Sequence, residues 1–335
     1  MSFFNRRISL TLDYFIKRSD NLLSNTAVAP TSGYTGTLTK NIGIIENRGF
    51  ETDISTVNTV GRVKWTSNLN FAFTKNEVIN LGLDINGDPM RYFGIPIYQS
   101  PATLTTAGHP ISSFYGYVAD GIWQLGEEAA AAAMLSTLKP GDMKFRDLNH
   151  DGQLTADDRT FIGSPHPTFY GGFTNNISFK NLTLSIFTDF AMGAKVLNTP
   201  RMLGESTFWY QGAMEHMKDR WTPTNPSNTL HRSAMSTAAY NARPSSWYVE
   251  KSDFFRINNV ALSYDFPRAF ASRLKIQALR LSLIGNNVYT FTGYRGYNFE
   301  AHTGSNTKND PLNFGLDMGT YPLARMYSLK LNVTF

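Results

Sequence analysis

The last nine residues, 327–335, alternate without a break. Tyr327, Leu329, Leu331, Val333 and Phe335 hold one set of positions, and Ser328, Lys330, Asn332 and Thr334 hold the other. Successive side chains of a strand point to opposite faces, so this segment has one apolar and one polar face. Soluble sheets use the same pattern. What constrains this chain is the recurrence of the pattern in segments near the ~9–11 residues a tilted strand needs to cross a bilayer. The expected fold class is all-β, a transmembrane antiparallel β-barrel with long extracellular loops.

Composition agrees with that class. The 335 residues are 41% hydrophobic, 13% aromatic and only 17% charged, with 24 Phe and 16 Tyr. No apolar run approaches the ~18 residues of a membrane-spanning helix, so strands would have to do any crossing. The absence of cysteine rules out disulfide staples and thiolate metal sites. Net charge is +5, but the cations are scattered and form no basic block, which argues against a nucleic-acid partner. Residues 1–7 lack an apolar core followed by a cleavage site, so the expectation is a mature sequence or a fragment.

Ten strands are expected, near 6–17, 41–57, 63–76, 91–104, 111–123, 168–179, 182–196, 247–266, 274–292 and 325–335. The links at 105–110, 180–181 and 267–273 are short, whereas 124–167, 197–246 and 293–324 are long. With Phe335 in the periplasm, alternation puts all three long segments outside the cell. Trp65, Trp123, Trp247 and Tyr248 suit aromatic girdles at the membrane interfaces.

The sharpest local motif lies within 140–166. Asp147, Asn149, Asp151, the Gln153 carbonyl and Asp158 fall at positions 1, 3, 5, 7 and 12 of a calcium loop, with Gly152 at the turn. Asp158 replaces the usual glutamate, and Gly163-Ser164-Pro165 stops any long helix after it. The expectation is an isolated, structural calcium loop; the competing reading is an Asp-Gly turn whose carboxylates cap nearby amides.

Catalytic signals are poor, and no enzyme is expected. Ser272 to Lys275 and Ser19-Asp20-Asn21 match parts of the penicillin-recognising set, but in reversed order and without the third element. Glu46, Glu51 and Asp53 read as rim or lumen charges. In the loop 197–246, Trp209, Tyr210 and Trp221 offer aromatic faces for a sugar or peptide, against simple packing of the loop on itself.

Several segments together carry a resemblance. They are Lys17-Arg18-Ser19-Asp20-Asn21-Leu22-Leu23, Asn41-Ile42-Gly43 through Asn47-Arg48-Gly49-Phe50-Glu51, Ser113-Phe114-Tyr115-Gly116-Tyr117 and Asp120-Gly121-Ile122-Trp123. Further along come Pro140-Gly141-Asp142-Met143-Lys144-Phe145, Arg220-Trp221-Thr222-Pro223, Thr290-Phe291-Thr292-Gly293-Tyr294 and Tyr321-Pro322. Over almost its whole length the chain resembles the C-terminal part of SusC/RagA-type TonB-dependent outer-membrane transporters of Bacteroidetes.

The resemblance implies a larger barrel filled by a plug, a TonB-contacting segment and a SusD-like surface lipoprotein that helps capture oligosaccharides or peptides. It also implies that the alternating end, Tyr327, Leu329, Leu331, Val333 and Phe335, is the signal read by the barrel assembly machinery. Signal peptide, plug and early strands are missing from the chain, which is expected to be an excerpt with two open edges. The alternatives are a free-standing outer-membrane barrel acting as a passive pore or adhesin, and a soluble β-sandwich.

Overall fold

Alternation becomes a wall. The structure, a computed structural model, describes residues 2–4, 6–27, 37–98, 100–206, 212–234, 241–300 and 312–335. Eight long strands form one antiparallel sheet: β1 Ile8–Ala27, β2 Thr37–Val60, β3 Val63–Asn80, β4 Phe169–Phe179, β5 Leu182–Met192, β6 Phe254–Asp265, β7 Ala278–Thr292 and β8 Met326–Thr334. Each wall strand pairs with the next, and the two-residue stub Ser2–Phe3 pairs with β1. The stub and β8 are the two ends of the strand order, so the described sheet is open.

Register shows what the wall is for. Leu331, Leu281, Tyr264, Leu182, Phe179 and Val63 are successive partners from β8 to β3. Leu329, Leu283, Leu262, Leu184, Ile177 and Trp65 form a second row on the same face. Between these rows, on the other face, runs Lys330, Ser282, Ser263, Thr183, Ser178 and Lys64. One face is apolar across six strands and the other polar, the division made by a wall between lipid and a wet lumen.

The tight ends are built from turn chemistry. Lys180 takes a positive φ of 53° between β4 and β5, and the Asn181 side chain donates to the Asp265 carbonyl at 2.6 Å. Between β6 and β7, Pro267 precedes the short helix Arg268–Arg273. The long connections 81–168, 193–253 and 293–325 all leave the opposite end of the wall.

Those three connections fold over one another as a canopy with a common core. Phe114, Tyr117, Trp123, Met143 and Phe145 of the first pack in one cluster with Leu197, Met202 and Tyr248 of the second and Leu316 of the third. Side chains of that size each contribute about 1.5–3 kcal/mol when fully buried. Backbone ties reinforce the core. Lys195–Asn198 pairs with both Val249–Lys251 and Leu316–Asp317, and the Thr103 hydroxyl donates to the Leu312 carbonyl at 2.6 Å. The first connection also carries a short helix, Glu128–Met134, whose Ala131 is buried.

Two of the ten expected strands are not in the wall. Segments 91–104 and 111–123 break into short pieces within the canopy, such as Thr103–Thr105 paired with Ser113–Gly116. Pro96 and Pro101 lack the amide donors that a long ladder needs. The run Ala102, Thr103, Leu104 and Thr105 is buried on both faces, so it never had a solvent side. Because two strands leave together, the direction of every later strand is unchanged. At the other end the wall is longer than expected: β1 runs on to Ala27, while 28–36 lie outside the described residues.

The girdle expectation is corrected for three residues. Trp123 and Tyr248 are buried and Trp247 is half-buried, all in the canopy core, whereas Trp65 is exposed on the apolar face of the wall. Aromatic content alone does not distinguish an interface belt from a loop core.

Candidate functional site: the lumen wall and its canopy

The polar face of the wall meets the canopy at one charged row. Asp53, Asn70, Gly172, Asp189, Arg256 and Thr290 are successive partners across β2 to β7. A Cβ on Gly172 would lie 2.8 Å from the Phe187 ring, so glycine leaves room there for that ring. Its amide donates to Asn70 Oδ1 at 3.0 Å.

Arg256 is the centre of this row. Its Nε and Nη2 donate to Asp189 at 3.1 and 2.5 Å, and its Nη1 and Nη2 donate to Glu300 of the third connection at 2.7 and 3.2 Å. The guanidinium packs against the rings of Phe254 and Phe299, 5.1 and 6.0 Å from their centroids. A planar, permanently charged fork suits this double carboxylate grip as no lysine would. The bond to Glu300 ties canopy to wall, and beside it lies a cavity of about 410 Å³ lined by strand and canopy residues alike.

Farther along the lumen face, Asp13 stands opposite Glu51, with Asp53 one step away, around a cleft of about 290 Å³. Two of the three carboxylates read as rim or lumen charges, Glu51 and Asp53, thus share the lumen face. Glu46 pairs with Glu77 and Arg18 on the opposite face.

A second ionic network is sealed inside the canopy. Arg201 bonds Glu205 at 2.6 Å, Glu250 at 2.8 Å and the Trp247 carbonyl at 2.8 Å. Burial alone would push the Glu205 carboxyl up, but Arg201, the Trp247 indole and His216 hold it below the ordinary range. Nearby, Arg232 grips buried Asp142 with two bonds of 2.7 and 3.0 Å, and Asn241 adds a third at 3.1 Å. His231 lies between the Arg232 carbonyl and the Tyr248 hydroxyl, and burial pushes its pKa down. These groups fix the canopy's shape, and the sequence reading paired none of them. The Arg201–Glu205 spacing was the one available signal.

The calcium-like loop is closed by its own oxygens. Asp147 accepts from the amides of His150 and Gly152 at 2.7 and 2.8 Å, and Asn149 accepts from Asp151 at 3.1 Å. Asp151 accepts from the Gln153 amide at 2.7 Å. Buried Asp158 accepts from Leu148 and Thr155 at 2.9 and 2.8 Å, completing a capping box. Among the described residues, no group of three or more His, Asp or Glu side chains converges where a metal could sit.

Of the aromatic candidates, Trp209 and Tyr210 lie outside the described residues. Trp221 is only 5% exposed and its indole donates to Gln124 at 3.0 Å, so its ring is committed to packing instead of facing a ligand. The residues Tyr327, Leu329, Leu331, Val333 and Phe335 are exposed on or beyond β8, where nothing on the described chain pairs with their outer edge.

A sheet divided into apolar and polar faces, with its long connections gathered into a canopy at one end, defines a membrane-spanning β-barrel wall. No protein-family model matches the chain. Its sequence is 31% identical over 341 residues to TonB-dependent receptor P3 of Formosa agariphila, covering 100% of this chain and 33% of that protein. To TonB-dependent receptor SusC of Bacteroides thetaiotaomicron it is 22% identical over 352 residues, covering 99% of this chain and 31% of SusC. The fold matches a solved structure of the RagAB peptide transporter with a TM-score of 0.78, at 20% identity, covering 100% of this chain and 34% of that one. Along its whole length the chain is similar to proteins named TonB-dependent receptors, SusC among them, and it spans about one third of the length of the relatives it matches.

Proposed function

We propose that this chain supplies wall strands and outer canopy to an outer-membrane importer of oligosaccharides or peptides. The observation that carries the reading is the register itself: apolar rows from Val63 to Leu331 and Trp65 to Leu329, with the polar row from Lys64 to Lys330 between them. Lipid satisfies the first two and a hydrated lumen the third. In this reading Phe335 is periplasmic and the canopy faces outside. TonB supplies energy through the part of the receptor that precedes these strands, and a SusD-like lipoprotein sits over the canopy. The barrel assembly machinery engages Tyr327, Leu329, Leu331, Val333 and Phe335. Peptides come into the reading because the similar solved structure is described as a peptide transporter.

Calcium belongs to the same proposal, as a staple on Asp147, Asn149, Asp151, Gln153 and Asp158. Each capping carboxylate oxygen keeps a lone pair beyond its amide bond, so a hard cation has oxygen donors to recruit. Trp209 and Tyr210 are proposed to contact substrate.

The test is an in-frame deletion of the gene in its source organism, followed by membrane fractionation and growth on defined oligosaccharides and peptides. Loss of growth on one substrate class, with the wild-type protein in the outer-membrane fraction, supports the reading. Recovery of the protein in a soluble fraction overturns it.

A further inference from the structure

The cavity beside Arg256 belongs to neither the membrane face nor the canopy core. Its volume, about 410 Å³, lies within the range of small-molecule sites. The rings of Tyr170, Phe187, Phe254 and Phe299 line it, and Asp189 and Glu300 supply its carboxylates. Among the described residues the cation that answers those two carboxylates is Arg256, which is only 7% exposed and is not part of the lining. Two carboxylates against one guanidinium leave a formal charge of −1 directed at an aromatic-walled space.

We propose that this cavity binds an amine or guanidinium carried on an aliphatic stem. The stem lies against the aromatic walls and the cation rests on Glu300 and Asp189, with the ring faces adding to its attraction. Anionic ligands are repelled by the surplus charge. A neutral sugar would leave the surplus negative charge unanswered. The cation's source is a free diamine or a basic side chain of a peptide. The second source deepens the import reading and rests on it; the binding site itself does not.

Because Glu300 belongs to the third connection and Asp189 to β5, an occupied site bonds canopy to wall at a second point beside Arg256. The cavity is therefore filled only where both elements are in place.

The experiment is calorimetry on the whole receptor containing this chain, purified in detergent, with agmatine, a Lys-Leu-Leu tripeptide and maltotriose as separate probes. Wild-type protein binds agmatine or the tripeptide, and Glu300→Gln weakens that binding at least tenfold while keeping the shape of the site. Ala194→Trp, which fills the cavity from a half-buried position, does the same. Tighter binding of the tripeptide than of agmatine identifies a peptide source, and the reverse identifies a free amine. Binding that both variants leave intact overturns the proposal, as does maltotriose binding that competes with agmatine, or no heat from either cation at 10-millimolar-scale concentrations. Circular dichroism of each variant separates lost binding from lost folding. A receptor that imports normally but binds no cation defeats this proposal alone.

Discussion

The hydroxyl oxygens of Ser263 and Ser282 lie 2.8 Å apart across β6 and β7, while in the next pair of the same antiparallel ladder Tyr264 faces Leu281 on the other side of the sheet. A single step along the strand therefore exchanges a lumen position for a lipid position. That gives the plainest test of the wall.

Leu262→Arg, on the apolar face, should destabilise the protein in lipid by about 2–4 kcal/mol if the position lies near the midplane. Ser263→Arg, its immediate neighbour, should cost far less, because its side chain enters the polar lumen. Urea titrations of the two variants in vesicles make the comparison; equal losses would remove the assignment of faces.

Arg201 anchors the canopy through Glu205 and Glu250, all three nearly buried. Arg201→Ala leaves two buried carboxylates without their counter-ion and should cost about 3–5 kcal/mol of canopy stability. Limited proteolysis should then cut within 193–253 while the wall strands stay protected. A digestion pattern like wild type would show that the network adds little.

His231 predicts a pH dependence. Its folded pKa lies below the unfolded value of about 6.5, so the unfolded state takes up a proton first. The stability that comes from keeping the ring neutral is full above about pH 6.5 and is lost as pH falls through the depressed folded pKa. Glu205, also depressed, loses its contribution lower, starting below about pH 4.3. Both signs loosen the canopy in acid. His231→Gln should flatten the upper part of that decline in a thermal-melt series from pH 8 to 5; an unchanged slope would assign it elsewhere.

For the calcium loop, calorimetry on the receptor should give binding in the ~10⁻⁴–10⁻³ M range of extracellular modules, abolished by Asp151→Ala. No heat at millimolar calcium would leave the loop as the self-capped turn that its hydrogen bonds already describe.

Sequence reading recovered the wall best where each strand has one lipid side and one wet side. The expected 168–179 became Phe169–Phe179, and 325–335 became Met326–Thr334. It failed at 91–123, where Leu104 and Phe114 are buried within a compact loop body and short strands repeat the same two-residue period without crossing anything. The period reports a strand's local geometry and is silent on which sheet receives it. The Arg256 row was illegible for a different reason. Asp189, Arg256 and Glu300 come from three separate segments, and only the register of the wall with the return of the third connection brings them together.

The shared canopy core sets how such a surface can change. Phe114, Tyr248 and Leu316 come from three connections yet pack in one cluster. No connection can then be lengthened, shortened or swapped without leaving gaps in the packing of the other two. New ligand preferences are expected to arise by substitution at rim positions such as those around the Arg256 cavity, and by inheritance of all three connections as a block. A chimera that exchanges a single loop should lose the canopy before it gains a specificity.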